Sequence, residues 1–345
     1  MARIWLTLKQ QRFETIAVTV FCLAVAAAAF IEAFRLNSLN FPLSCLAGGR
    51  VSNWLDPSAP QTACSLASRK FSDLSNGMDM GLVMQSSYLV PFVAGITFGA
   101  PLVAKEIEQG TAPMSWALAG SRRRWLLGKI LAAGLLIVPL LLVAGLAFDA
   151  LQGAAIPGTD PHASFVNYSS RGVLLAFWGL AALLGTVALG TLLGRTLPAV
   201  FLALVVCVLA RGFWEVGMNT VLAPLAVMQS QESQDNQVGW PPDDLYVYYR
   251  TYLDGKPWDG DINAWWTEHM PPPSIIVDPS TGLPTGQVID LGPQFDPAHA
   301  PQEIPFLIAA SNYWPIVALE SGILLVGGLA CGAIAFVWVD RRRPY

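Results

Sequence analysis

The chain has 345 residues, 54% hydrophobic and 13% charged, with a formal net charge of −4 and a mean hydropathy of +0.48. Soluble domains carry about 25% charged residues, so this deficit excludes an ordinary soluble domain and points to a membrane. No basic patch is present, which argues against a nucleic-acid partner.

Residues 3–14 (RIWLTLKQQRFE) place Ile4, Trp5 and Leu8 on one helical face, as in a helix lying at a membrane surface. The alternative is the frayed start of the first span. Six apolar runs reach the ~20 residues needed to cross a bilayer: about 15–34, 86–104, 125–148, 172–194, 197–215 and 313–339. The first resembles a signal peptide in its basic flank and its alanines at 26–29, but it exceeds the ~7–15 residues of a signal core. With the N-terminus inside, 12 of the 20 Lys and Arg residues fall on the cytoplasmic side, and both termini are expected there.

Cys22, Cys207 and Cys331 fall in spans and read as packing residues. Cys45 and Cys64 share the loop 35–85, on the oxidising side, and are either a disulfide or two free thiols. Asn167-Tyr168-Ser169 matches a glycosylation sequon. The segment 216–228 is apolar but too short to cross, and Gly217 and Pro224 permit a re-entrant hairpin or surface helix. Segment 229–312 holds 12 acidic residues, many prolines, and Trp258, Trp265 and Trp266; it is expected to form a small irregular exterior cap. His162, His269 and His299 lack metal-ligand spacing, so no metal site is expected.

Arg211 and Glu320 each lie ~9 Å from the exterior edge of a ~30 Å core at 1.5 Å per residue, on the fifth and sixth spans. Matched depth suggests a pair, for which Glu215 competes at i, i+4 from Arg211. The pair serves either as a structural clamp or as a substrate or gate contact.

A polar island, 105–129 (KEIEQGTAPMSWALAGSRRRWLLGK), separates the second and third spans. Thr111 reads as the N-cap of a helix over 112–119, Pro113 fits its first turn and Gly120 ends it. Met114, Ala117 and Leu118 share a face and Trp116 projects from another. So short a helix must pack on its own spans or on a partner. Ser121 caps the third span, and Arg122, Arg123 and Arg124 oppose that helix's dipole. They serve either to hold the loop in the cytoplasm or to meet an acidic partner.

This island resembles the ABC-2 type export permeases. The residues that carry the likeness are Glu106, Glu108, Gly110, Thr111, Leu118, Ser121, Arg122, Gly128 and Lys129. The family often has proline before the Ser-Arg pair, where Ala119-Gly120 stands here, and its segment before the last span is usually shorter than 229–312. The resemblance implies an all-α integral membrane protein of a bacterial plasma membrane, with six transmembrane helices, an N-terminal amphipathic helix and a cytoplasmic coupling helix. Met114 and Trp116 fall on that coupling helix. The implied partners are a cytoplasmic ABC ATPase subunit carrying ATP and Mg, a second permease copy or paralogue, and membrane lipid. No GxxxxGK[ST] loop occurs, since Gly128-Lys129 is followed by Ile130, so no cofactor and no catalytic residue is expected on this chain. A non-transporting ABC complex is the alternative. A membrane-embedded enzyme is a further one, against which stand the missing HExxH and GxSxG motifs and spans without histidine.

Overall fold

The computed structural model describes residues 11–46, 62–228, 243–269, 274–277, 284–289 and 299–341. The surface helix expected over 3–14 lies almost wholly outside them, as do Arg342 and Arg343. The chain divides into two compact units, Met1–Val216 with Ala309–Tyr345, and Gly217–Ile308.

In the first unit the helices are α1 (Arg12–Ser38), α2 (Ala63–Ser75), α3 (Met78–Glu108), α4 (Ala112–Ala119), α5 (Arg122–Ala155), α6 (Gly172–Leu193), α7 (Thr196–Leu222) and α9 (Tyr313–Arg341). Six of them, α1, α3, α5, α6, α7 and α9, are long and apolar enough to cross a membrane. Most run past the expected spans because the backbone stays helical through the interfacial polar residues at each end. Pro91, Pro101 and Pro139 are absorbed inside α3 and α5.

The core draws on α1, α3, α5 and α6, and its closest crossing is that of α3 with α6. Gly95 and Gly99 let α3 approach Ala182, Leu183 and Thr186, and the Thr186 hydroxyl donates to Gly95 O at 2.9 Å. Small residues at the crossing replace the hydrophobic drive that lipid removes. A side chain at Gly99 would strike Thr186 and the Leu183 carbonyl. Gly99→Leu is therefore expected to cost about 1–3 kcal/mol or more by overpacking, read as a lower melting temperature in detergent.

The loop expected over 35–85 carries α2. Thr62 caps it by accepting from Ser65 N at 3.1 Å, and a Cys45–Cys64 disulfide ties its first turn to the 3₁₀ turn Leu43–Cys45. Closing a loop across a sequence separation of 19 stabilises the fold by about 3 kcal/mol on a chain-entropy basis. Asn167 of the sequon is exposed. Its side chain accepts from Tyr88 Oη at 3.3 Å and donates to Gln152 Oε1 at 3.3 Å.

The second unit corrects two expectations. Residues 216–222 continue α7 instead of forming a re-entrant hairpin, and the chain then enters a strand, β1 (Val227–Met228). Among its described residues, the segment expected as an irregular cap is largely strand, so the all-α reading holds for the first unit and not for the second. β2 (Leu245–Leu253), β3 (Lys256–Pro257) and β6 (Gln302–Ile308) complete an antiparallel sheet of order β1-β6-β2-β3, while β4 (Ser274–Val277) pairs with β5 (Pro284–Ile289). One short helix, α8 (Ile262–His269), lies between β3 and β4. Asp254 and Gly255, both at positive φ (50° and 71°), make the two-residue turn between β2 and β3. Tyr248 stacks on Phe306 across the β2–β6 pair at 4.6 Å.

Candidate functional site

The polar island folds as a helix clamped from behind and open in front. Gly110, at φ 69°, turns the chain sharply after α3. This brings both the N–H and the hydroxyl of Thr111 onto Glu106 O, at 3.0 and 3.3 Å. Thr111 was expected to cap α4; instead it closes the end of α3, and its side chain caps nothing in α4. Gly120, at φ 77°, ends α4, and Ser121 then accepts from Arg124 N at 3.2 Å to start α5.

Around α4 the apolar side chains part company. Ala112 and Trp116 are buried, and Trp116 meets Trp125 of α5 edge-on at 6.0 Å. Met114 and Leu118 are 71% and 76% exposed, with Ala117 between them. Trp116 therefore anchors the helix, and the outward face is Met114, Ala117 and Leu118.

Most of the polar residues that carried the resemblance are structural ties. Glu106 pairs with Lys129 at 2.5 Å, and the same ammonium donates to Leu102 O at 3.0 Å, binding α3 to α5. Glu108 accepts from Thr196 N at 2.9 Å and so caps α7. Lys105 reaches Glu14 of α1 at 3.5 Å.

The arginines have a use that neither sequence reading included. Arg122 lies over the Trp116 ring at 4.5 Å and donates to Val339 O and Asp340 O at 3.2 and 3.0 Å, while Arg123 pairs with Asp340 at 2.5 Å. A cation is unfavourable at the start of α5 but favourable at the end of α9, where carbonyls lack partners. Asp340 inside the terminal basic run was the available signal. These contacts gather the start of α1, the end of α3, the starts of α5 and α7 and the end of α9 at one end of the bundle.

The opposite end holds a second set of buried charges. Arg171 is 2% exposed, pairs with Asp149 at 2.7 Å, and donates to the carbonyls of Pro161, Ser164 and Val166 at 2.6, 2.6 and 3.2 Å. His162 lies 3.7 Å from the same carboxylate and stacks on Trp314. Sequence reasoning missed this group, although Asp149 is a charge set inside an apolar run.

The direct Arg211–Glu320 ion pair expected from matched depth does not form. Arg211 takes Glu215 at 3.2 Å and Ser169 Oγ at 3.0 Å, with its guanidinium over the rings of Tyr88 and Trp178 at 5.4 and 5.5 Å. Glu320 is fully buried and accepts from Trp214 Nε1 at 2.8 Å. Tyr168 and Trp178 flank its carboxylate, yet Glu320 Oε2 and Trp178 Nε1 have no hydrogen-bond partner. Burial, and then the Glu320 charge, push the Tyr168 hydroxyl above its ordinary range, so it stays protonated. Among the described residues no group of His, Cys, Asp and Glu is placed to hold a metal.

A family model, ABC-2 membrane transporter related, matches residues 16–218, which takes in α1 through most of α7. No curated protein and no solved structure matches the chain. The match covers more than half of the sequence and contains both the clamped helix and five of the six long apolar helices. The chain belongs to the ABC-2 membrane transporter related family.

Proposed function

We propose that this chain is the permease subunit of an ATP-driven exporter, working as a dimer with a second permease copy or paralogue and with separate cytoplasmic ATPase subunits. In this reading the α4 end of the bundle faces the cytoplasm and α4 is the coupling helix. The observation that carries it is the division of labour around α4. Trp116, Arg122 and the Glu106–Lys129 pair bind the α4–α5 junction into the bundle, while Met114 and Leu118 stand exposed on a polar loop where neither packs in the core.

A helix held this way can take a push and pass it on. ATP and Mg bound in the partner would close the ATPase subunits against the Met114–Leu118 face. Glu108 and Arg122 would carry the displacement to α7 and α9, and the spans would rock to release substrate outward. The chemistry of ATP belongs to the partner, and this chain's residues only receive and transmit motion.

The test is purification of the full chain in mild detergent from its native host, with identification of what co-purifies. An ATPase subunit bearing a phosphate loop, in equal amount with the permease, is expected. Its consistent absence across detergents and nanodiscs sinks the reading.

A further inference from the structure

We infer that Glu320, with the rings of Tyr88 and Trp178, forms a binding site for a lipophilic organic cation, and that Arg211 occupies it as an internal surrogate. The substrate class so named deepens the exporter reading and rests on it for the direction of transport; the site itself rests on geometry alone.

The guanidinium of Arg211 lies over two aromatic faces, Tyr88 from α3 and Trp178 from α6. Aromatic faces attract cations because the ring quadrupole is negative there. The Glu320 carboxylate, from α9, accepts from Trp214, whose ring packs edge-on against Trp178 at 4.9 Å, and Arg211 makes its ion pair with Glu215 instead. Three separate helices thus supply a cation cage and a fourth, α7, supplies the cation that fills it.

The occupant's own attachments make it replaceable. The acid that Arg211 does touch is Glu215, which sits on the same helix and moves with it. α7 is the least buried of the six long helices, with 17% of its most apolar window covered against 67% for α3. At this level α7 is held by hydrogen bonds from Trp214 to Glu320 and Arg211 to Ser169, and by ring contacts of Trp214 with Trp178 and of Arg211 with Tyr88 and Trp178. If α7 moves outward, Arg211 leaves with its charge still compensated by Glu215. Glu320, fully buried while α7 is packed, stays behind without the Trp214 N–H, with a second oxygen that already lacks a partner and with two aromatic faces uncovered.

A bare carboxylate among apolar helices is costly, and an arriving cation relieves that cost. An anion or a neutral amphiphile of the same shape does not. The chemistry therefore selects an ammonium, phosphonium or guanidinium group carried on an apolar body.

Tetraphenylphosphonium and tetraphenylborate have the same shape and opposite charge, and serve as the two probes. Binding is measured by equilibrium dialysis on the full chain in nanodiscs without ATPase, with empty nanodiscs subtracted for lipid partition. Arg211→Ala is expected to bind tetraphenylphosphonium at least about ten-fold tighter than the unaltered chain, and to gain nothing for tetraphenylborate. Adding Tyr88→Leu or Glu320→Gln to Arg211→Ala is expected to remove the gain. Should Glu320→Gln not fold, Tyr88→Leu decides alone. The proposal is overturned if Arg211→Ala brings no gain, if tetraphenylborate gains equally, or if the gain survives Tyr88→Leu. The assay contains no ATPase, so its failure leaves the α4 surface standing, and failure of ATPase co-purification leaves this measurement intact.

Discussion

Met114→Asp and Leu118→Asp are each expected to abolish association with the proposed ATPase subunit while leaving the chain folded. Both side chains project from α4 and neither belongs to the buried core. Exposed substitutions of this kind usually change stability by no more than about 0.5 kcal/mol. At a protein interface, a charge replacing an apolar anchor removes about 2 kcal/mol or more, a loss of roughly 30-fold in affinity. Trp116→Ala is the contrasting control. It strips the contact with Trp125 and the platform under Arg122, at a cost of about 3–5 kcal/mol for a buried aromatic. That variant should express poorly or melt early. Binding that survives both aspartates, measured by co-purification and by permease-stimulated ATP hydrolysis, would remove the docking role of α4.

Arg171→Met is expected to be the most destabilising single change in the bundle. The guanidinium satisfies Asp149 and three carbonyls from one buried position. Removing it strands a buried carboxylate, at about 3–5 kcal/mol. For a bundle of this size the melting temperature should fall by on the order of 10 °C. Asp149→Asn in the same chain should recover part of the loss, because the stranded charge is then gone. If Arg171→Met melts at the original temperature, the pair is not holding the ends of α5 and α6 together.

How much of this was legible in the sequence depends on how local each feature is. The six spans, the stop at Gly120 and the cap at Ser121 are set by residues within a few positions of each other, and these readings match the helices found. Thr111 was misread because its side chain had two carbonyl and amide neighbours to choose between. The sharp turn at Gly110 decided for Glu106 O. The outward face of α4 was correctly grouped, but its direction depended on where α5 places Trp125, which no periodicity reveals.

Matched depth for Arg211 and Glu320 fixed one coordinate of three. Rotation about each helix axis directed Arg211 to Glu215, Ser169 and two rings instead. In 229–312 proline was weighed against helices and not for strands, and the described residues hold one short helix and several strands. Proline sits in β6 at Pro305, opposite Tyr249, in a strand rich in Ile, Leu and Phe. The ties at Arg171, Arg122 and Arg123 join residues that only the folded chain brings together.

The distance in sequence between Arg122 and its acceptors also sets an order of assembly. Val339 O and Asp340 O lie 217 and 218 residues further along the chain. While the intervening helices are being made, the carbonyls of Val339 and Asp340 do not yet exist, so Arg122 has its place over the Trp116 ring but not these two acceptors, and Arg123 lacks Asp340. Helices inserted early must wait for the last one. The junction therefore closes only once α9 is in place, so the surface offered to a partner reaches its final form in the completed bundle, after synthesis of the sixth span.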